Sequence, residues 1–243
     1  MQSTFDQLER DGFAIVRGVF ARDETAGIAA EISRALASIA DESVALRSRG
    51  VVYGARNLLE LYPRAREVWR RAELLDLLAG VLGPNFGLVR GLFFDKPPER
   101  SWSLAWHKDL TIAVVDNTLA SSSFSKPTVK AGVPHVEAPQ ALLESMLTLR
   151  IHLDDVTAEN GPLQVIAGSH RTGKQLAENV SRQQPLPVLC SAGDVLAMRP
   201  LVAHASGEST AGTLQHRRVL HLEFANSPAL PDGFQWHDFI PGR

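Results

Sequence analysis

Residues 217–225, Arg-Arg-Val-Leu-His-Leu-Glu-Phe-Ala, alternate two kinds of side chain with a period of two. On a strand, Arg217, Val219, His221 and Glu223 share one face, and Arg218, Leu220, Leu222 and Phe224 share the other. The second face is apolar and suits a core; the first is polar and suits the wall of a cavity. Outward from this strand, short apolar runs recur at residues 86–94, 146–153, 163–166, 187–189 and 195–198, between turn signals rich in Gly, Pro, Asn and Asp. No crossover helices alternate with them, which argues against βαβ repeats. The expected fold is mainly β, a sandwich or jelly roll.

The first third reads differently. Phe13–Phe20 looks like a strand. From Asp23, read as an N-cap, Ile28, Ile32, Leu36 and Ile39 recur at helical spacing. A second helix is expected over residues 64–82, ended by Gly83-Pro84. With no repeat or linker, residues 1–243 read as one domain: helical support over 1–84, a β core over 85–225, and an insertion at 116–140. That insertion, DNTLASSSFSKPTVKAGVPHVEAPQ, shows no sustained periodicity and reads as a long loop, either a lid or a surface insertion.

Composition narrows the function classes. The 243 residues carry 25 basic and 27 acidic side chains, a formal net charge of −2, which excludes the strongly basic field of a general nucleic-acid binder. The balance of 44% hydrophobic and 21% charged residues is that of a globular chain rather than a disordered one. The single cysteine, Cys190, excludes an internal disulfide and a Cys-based zinc site. Met1–Arg10 carries Asp6 and Glu9 and lacks the apolar segment of a secretory signal, and no apolar run is long enough to span a bilayer. A cytoplasmic protein without membrane or nucleic-acid partners is expected; no heptad pattern sets an oligomeric state.

Two His-x-Asp pairs carry chemistry: His107-Lys108-Asp109 and His152-Leu153-Asp154. Two such ligands and a distant histidine make the facial triad that holds non-haem Fe(II) and leaves positions open for co-substrate and O2. The first pair is favoured, because it lies between loops as a cavity mouth would. Asp154 and Asp155 run into a polar turn and read as turn formers. His204, after the apolar run 195–198, is the candidate third ligand. Arg217, thirteen residues on, offers a planar fork for a carboxylate.

These residues resemble the phytanoyl-CoA dioxygenase family of Fe(II)- and 2-oxoglutarate-dependent oxygenases. The matching stretches are Asp95-Lys96-Pro97-Pro98, His107-Lys108-Asp109, Glu159-Asn160-Gly161-Pro162-Leu163, Ala167-Gly168-Ser169-His170, His204-Ala205-Ser206-Gly207 and Arg217-Arg218-Val219, in order over about residues 86–225. The resemblance implies a double-stranded β-helix (jelly-roll, cupin-like) core buttressed by the N-terminal helices, with iron held by His107, Asp109 and His204. It implies that Arg217 binds the distal carboxylate of 2-oxoglutarate beside Ser206, with Arg218 the alternative if the register slips by one. By position Leu92, Thr148 and Arg150 fall where family members touch the co-substrate, and Arg56 less securely so. His152 would line the same cavity, and Gly168-Ser169-His170 would be a structural turn.

The activity implied is hydroxylation of a C–H bond of a small molecule, with O2 consumed and 2-oxoglutarate converted to succinate and CO2. Asp109 is retained where halogenating relatives carry a small residue, which disfavours halogenation. Nothing demands a CoA thioester. Lys108, Arg56, Asn57, His135 and His152 are candidates to meet a polar or anionic substrate group. The rival readings are a cupin-like isomerase or hydrolase that uses no 2-oxoglutarate, and a non-catalytic binding module on the same fold.

Overall fold

The computed structural model describes residues 2–48, 51–98, 101–178 and 180–242. In chain order its elements are α1 (Gln2–Asp11), β1 (Phe13–Val16), α2 (Arg22–Ala37), β2 (Ala45–Ser48), β3 (Val51–Ala55), α3 (Leu58–Leu61), α4 (Ala72–Leu82), β4 (Gly87–Phe94), β5 (Leu104–His107), β6 (Thr111–Ala113), β7 (Ser125–Lys130), β8 (Val133–Glu137), α5 (Gln140–Glu144), β9 (Met146–His152), β10 (Leu163–Val165), β11 (Leu186–Val188), β12 (Val195–Met198), β13 (His204–Ser206), β14 (Val219–Ala225) and β15 (Ile240–Pro241). The strands form a major sheet in the order β1-β12-β9-β14-β4-β3-β2, with β15 also on β4, and a minor sheet β11-β10-β13-β5. Packed face to face, the two make the expected jelly roll.

Alternation along the central strands decides what each face meets. On β9 and β14, Leu147, Leu149, Ile151, Leu220, Leu222 and Phe224 turn outward and are buried against Ile28, Ile32 and Leu36 of α2 and Leu74, Leu77 and Leu78 of α4. Each such side chain contributes about 1.5–3 kcal/mol on burial. The opposite face looks into the sandwich. Toward β1 and β12 it is apolar, and Phe13, Leu196 and Met198 meet Leu163, Val165, Val188 and Val202. Toward β14 and β4 it is polar: Arg150 stands opposite His221, and His221 opposite Leu92. The jelly roll is dry at one end and lined with charge at the other.

Several local expectations change. α2 begins at Arg22 with Ala21 as a cap lacking a side-chain bond, and Asp23 lies in the first turn, where its charge favours the helix dipole. β1 stops at Val16, because Gly18 (φ +64°) turns the chain. The helix expected over 64–82 is broken: a 3-10 turn spans Pro63–Arg66 and α4 starts only at Ala72. Between them Trp69 is fully buried, edge-on to Phe224 at 4.9 Å between ring centroids. Arg70 stacks on that indole and donates to the carbonyls of Pro241 and Gly242. These tertiary anchors override helix propensity.

Within the 116–140 segment, residues 125–137 form a hairpin, and 116–124 run as the expected loop. β7 and β8 pair through the two-residue turn Ala131-Gly132 and, with β6, form a third sheet. Both turn residues have positive φ (51° and 77°), as a type I′ turn requires. β7 (SKPTVK) is exposed nearly throughout and carries Pro127, so it shows no alternation to read, and its lysines and proline protect an edge.

Asp194 ties β12 to the end of β1. It accepts from Gly18 N at 2.9 Å, Ser191 N at 2.8 Å and the Arg17 guanidinium at 2.6 Å. Burial opposes its ionisation, but these donors outweigh burial and hold the carboxyl below its ordinary value. Its contribution is therefore complete above the ordinary aspartate pKa of about 4 and is lost as pH falls. Asp194→Asn should cost about 1–3 kcal/mol at neutral pH and flatten the acid limb of the stability curve. Urea denaturation midpoints across that pH range measure both effects.

Candidate metal centre

β5 and β13 run antiparallel with His107 directly opposite His204, and the two imidazole centroids lie 4.1 Å apart. Asp109 follows the end of β5, fixed by its backbone N–H donating to Pro200 O at 3.0 Å. Its Oδ1 is 3.8 Å from His107 Nε2 and its Oδ2 is 3.7 Å from His204 Nε2. All three candidate ligand atoms lie within 4.8 Å of one another. His107 Nδ1 donates to Ala105 O at 2.8 Å and His204 Nδ1 to Val202 O at 2.9 Å, an assignment made from the acceptors present. Each Nε2 lone pair is thereby turned to the common centre, the outer-shell arrangement of metal-ligating histidines.

Asp109 Oδ2 is buried and accepts no hydrogen bond from the described residues, a costly state that a cation at this point relieves. Burial pushes His204 down to about 4, so it is neutral and able to ligate at pH 7. Burial opposes ionisation of Asp109, but the positive charge of its surroundings, Arg150 included, outweighs burial, and its carboxyl stays below the ordinary value. Two imidazoles and one carboxylate converging from one side fit non-haem Fe(II).

The triad opens into a cavity of about 230 Å³ that also holds Leu92, Arg150, Ser206, Arg217 and His221. Arg150 and Arg217 are both buried, and among the described residues neither pairs with a carboxylate. Burial, aided by Arg150, pushes Arg217 down to about 9. The Nε of each guanidinium has no hydrogen-bond partner. Trp102 lies 6.0 Å from the Arg217 guanidinium carbon, and Phe94 lies 5.8 Å from that of Arg150. A pocket with two buried guanidinium groups that no carboxylate partners is built for an anion.

The profile of the phytanoyl-CoA dioxygenase (PhyH) family matches residues 8–219. The chain belongs to that family. Ectoine dioxygenase of Nocardia farcinica (strain IFM 10152) is 26% identical over 242 residues, covering 94% of this chain and 73% of its own. Ectoine dioxygenase of Sphingopyxis alaskensis (strain DSM 13593 / LMG 18877 / RB2256) is 25% identical over 172 residues, and this chain covers 48% of its length. Two solved structures share the fold. EctD from S. alaskensis with bound Fe superposes with a TM-score of 0.70 at 18% identity, covering 93% of this chain and 76% of that one. The epimerase SnoN in complex with Fe3+, alpha ketoglutarate and nogalamycin RO gives 0.68 at 19%, covering 96% and 86%. Among the described residues no helix is long and apolar enough to cross a membrane.

Three of the stretches that carry the PhyH resemblance, around Lys96, Gly161 and Ser206, gather beside Arg217. Lys96 and Arg217 exchange backbone hydrogen bonds at 3.2 Å each, and Asp95 holds His216 at 3.0 Å. The Asn160 side chain binds Thr157 N, Asp155 O and His216 O, closing the turn beneath them. A Cβ at Gly161 (φ +65°) would lie 2.6 Å from Gly207 O and 2.9 Å from Lys96 Nζ, so this position excludes side chains. Lys96, fully buried, donates to Gly161 O, Gly207 O and Ser206 Oγ. Burial, with Arg217 close by, pushes it down to about 7.

Other candidates fall outside the cavity. Thr148 is buried opposite Glu223 and does not line it. His152 is buried with neither ring nitrogen bonded and does not line it either. Lys108 points away and caps the carbonyls of Ser169 and Gly173, in the 3-10 turn that begins at Ser169. His135 hydrogen-bonds Val133 O on β8. Arg218 pairs with Asp154 at 2.6 Å, so the register puts Arg217 inside and Arg218 out. The polar and aromatic cavity residues the sequence did not single out include Arg90, Phe94, Trp102, Thr111 and Lys130.

Anaerobic addition of Fe(II) at about 100 times its dissociation constant should raise the unfolding free energy by about 2.7 kcal/mol. His204→Ala and Asp109→Ala should each abolish the rise. Denaturation with and without the metal reads it directly.

Proposed function

We propose that this protein is an Fe(II)- and 2-oxoglutarate-dependent oxygenase that hydroxylates a C–H bond of a small molecule, with release of succinate and CO2. The observation that carries the reading is the joint presence, in one cavity, of the one-sided His107–Asp109–His204 triad and the buried, unpaired Arg217. His107, Asp109 and His204 would hold the iron, which when bound supplies the activation of O2 coupled to decarboxylation of 2-oxoglutarate.

The chain's own residues supply position and dryness. The Arg217 fork takes the distal carboxylate of 2-oxoglutarate in two parallel hydrogen bonds. Ser206 Oγ accepts from Lys96 Nζ at 3.1 Å, which leaves its own proton free to donate to that carboxylate. Trp102 lies against both cations, 4.8 Å from Lys96 Nζ, and keeps water from them. Arg150 donates to His221 Nδ1 at 3.0 Å, and His221 Nε2 then donates to Glu223 Oε1 at 3.3 Å. That chain holds the Arg150 guanidinium facing the triad and requires a neutral His221. Leu92 supplies an apolar wall.

Arg217→Met should raise the KM for 2-oxoglutarate by about 10–100-fold while iron affinity stays unchanged, and Arg217→Lys should recover only part, because a point charge cannot replace the fork. His107→Ala and Asp109→Ala should stop substrate-coupled succinate release. Full activity in both variants would defeat the triad assignment, whereas a harmless Arg217→Met with no succinate under any substrate would support a metalloenzyme that uses no keto acid.

A further inference from the structure

The cavity is lined by five cationic side chains, Arg56, Arg90, Lys130, Arg150 and Arg217, against two carboxylates, Asp109 and Glu223. Resting on the function proposed above, the charges pair off in a definite way. A ferrous ion is balanced by Asp109 and the metal-side carboxylate of 2-oxoglutarate. Arg217 is balanced by the distal carboxylate. Arg90 is balanced by Glu223, its partner at 3.3 Å. Arg150, Arg56 and Lys130 are left over, and among the described residues none of them pairs with a carboxylate.

Arg150 is buried beside Arg217, whereas Arg56 and Lys130 are half-buried in the outer part of the same cavity. The fold brings these two together deliberately. Arg56 precedes Asn57 (φ +55°) at the end of β3, and Lys130 precedes Ala131 (φ +51°) at the tip of the β7–β8 hairpin. Asn57 Nδ2 donates to Ala131 O at 2.9 Å, latching the hairpin tip to the β3–α3 corner. Two non-glycine residues in the left-handed region at one contact mark a junction held by its surroundings. Lys130 Nζ is further aimed by Thr111 Oγ1 at 3.1 Å, and Arg56 by Ser43 O at 3.1 Å. Burial, with Arg90 and Arg56 nearby, outweighs the fields of Glu223 and Asp109 and pushes Lys130 down.

We infer that Arg56 and Lys130 bind an anionic oxyacid group of the substrate, a carboxylate or a phosphate monoester, and so direct the attached carbon chain inward to the His107–Asp109–His204 centre. The two cations are specificity-determining residues, and a substrate lacking the anion is rejected because its binding leaves them unpaired.

The test uses the full-length protein loaded with Mn(II) and saturated with 2-oxoglutarate, so that Arg217 is occupied, titrated by NMR with butyrate, butyl phosphate and neutral butyramide. At least one anion should bind about tenfold more tightly than butyramide, and which one names the source of the group. Its terminal methyl should be broadened by Mn(II) more than the carbon beside the anion. Arg56→Gln and Lys130→Gln should each lose about tenfold in anion affinity, and Lys130→Arg should keep it, with 2-oxoglutarate affinity unchanged. Equal binding of the amide, or anion affinity that follows Arg217→Gln and not Arg56 or Lys130, would overturn the assignment. A wild-type protein that holds neither Mn(II) nor 2-oxoglutarate would contradict the proposed function instead, and the same variants titrated without metal would still decide for or against Arg56 and Lys130.

Discussion

The antiparallel register of β5 on β13 is the constraint on which the site depends. It puts His107 opposite His204, and two backbone carbonyls, Ala105 O and Val202 O, then fix both rings with their Nε2 atoms turned to the same point. Asp109 is drawn to that point by a backbone bond to Pro200 O, from the loop that leads into β13. A slip of one residue in this short ladder would turn one imidazole to the other face of the sheet. The rest of the architecture, helices packed on the back of the major sheet and an apolar plug at the β1–β12 end, keeps that ladder in register.

A second constraint is electrostatic. Arg150, Arg217 and Lys96 are all buried near one another, an arrangement that opposes folding; burial depresses the proton affinity of each, and like charge adds to it at Arg217 and Lys96. Aromatic faces at Phe94 and Trp102 and the carbonyls of Gly161 and Gly207 offset part of that cost. An anionic ligand would offset the remainder on binding, so the arrangement that costs stability in the free protein is the one we propose for 2-oxoglutarate.

The sequence disclosed the sandwich and the triad because both leave strong local signals. β14 shows a clean period of two, and the His-x-Asp pair, His204 and Arg217 lie in stretches shared with a known family. What stayed hidden has physical causes. β7 has no buried face, so its hairpin with β8 read as a loop. The helix expected over 64–82 was broken by Trp69 and Arg70, whose anchors are at Phe224 and the carbonyls of residues 241–242, far along the chain. Thr148 was placed at the co-substrate by its position in the resemblance, and His152 in the same cavity by strand parity, but parity gives the face and not the depth of the wall. Lys130 and Arg90 entered the cavity through a hairpin tip and through a strand read only for its apolar residues. The motif around Lys96 was visible, but its role required seeing Gly161, Ser206 and Gly207 meet around one ammonium.

Anomalous diffraction at the iron edge, from crystals grown anaerobically with Fe(II) and 2-oxoglutarate, tests the central claim most directly. The expected result is a single iron peak bonded to His107 Nε2, His204 Nε2 and a carboxylate oxygen of Asp109, with the far carboxylate of 2-oxoglutarate on Arg217 and Ser206. An iron peak away from those three side chains, or a 2-oxoglutarate carboxylate resting on Arg56 and Lys130 with Arg217 untouched, would contradict it.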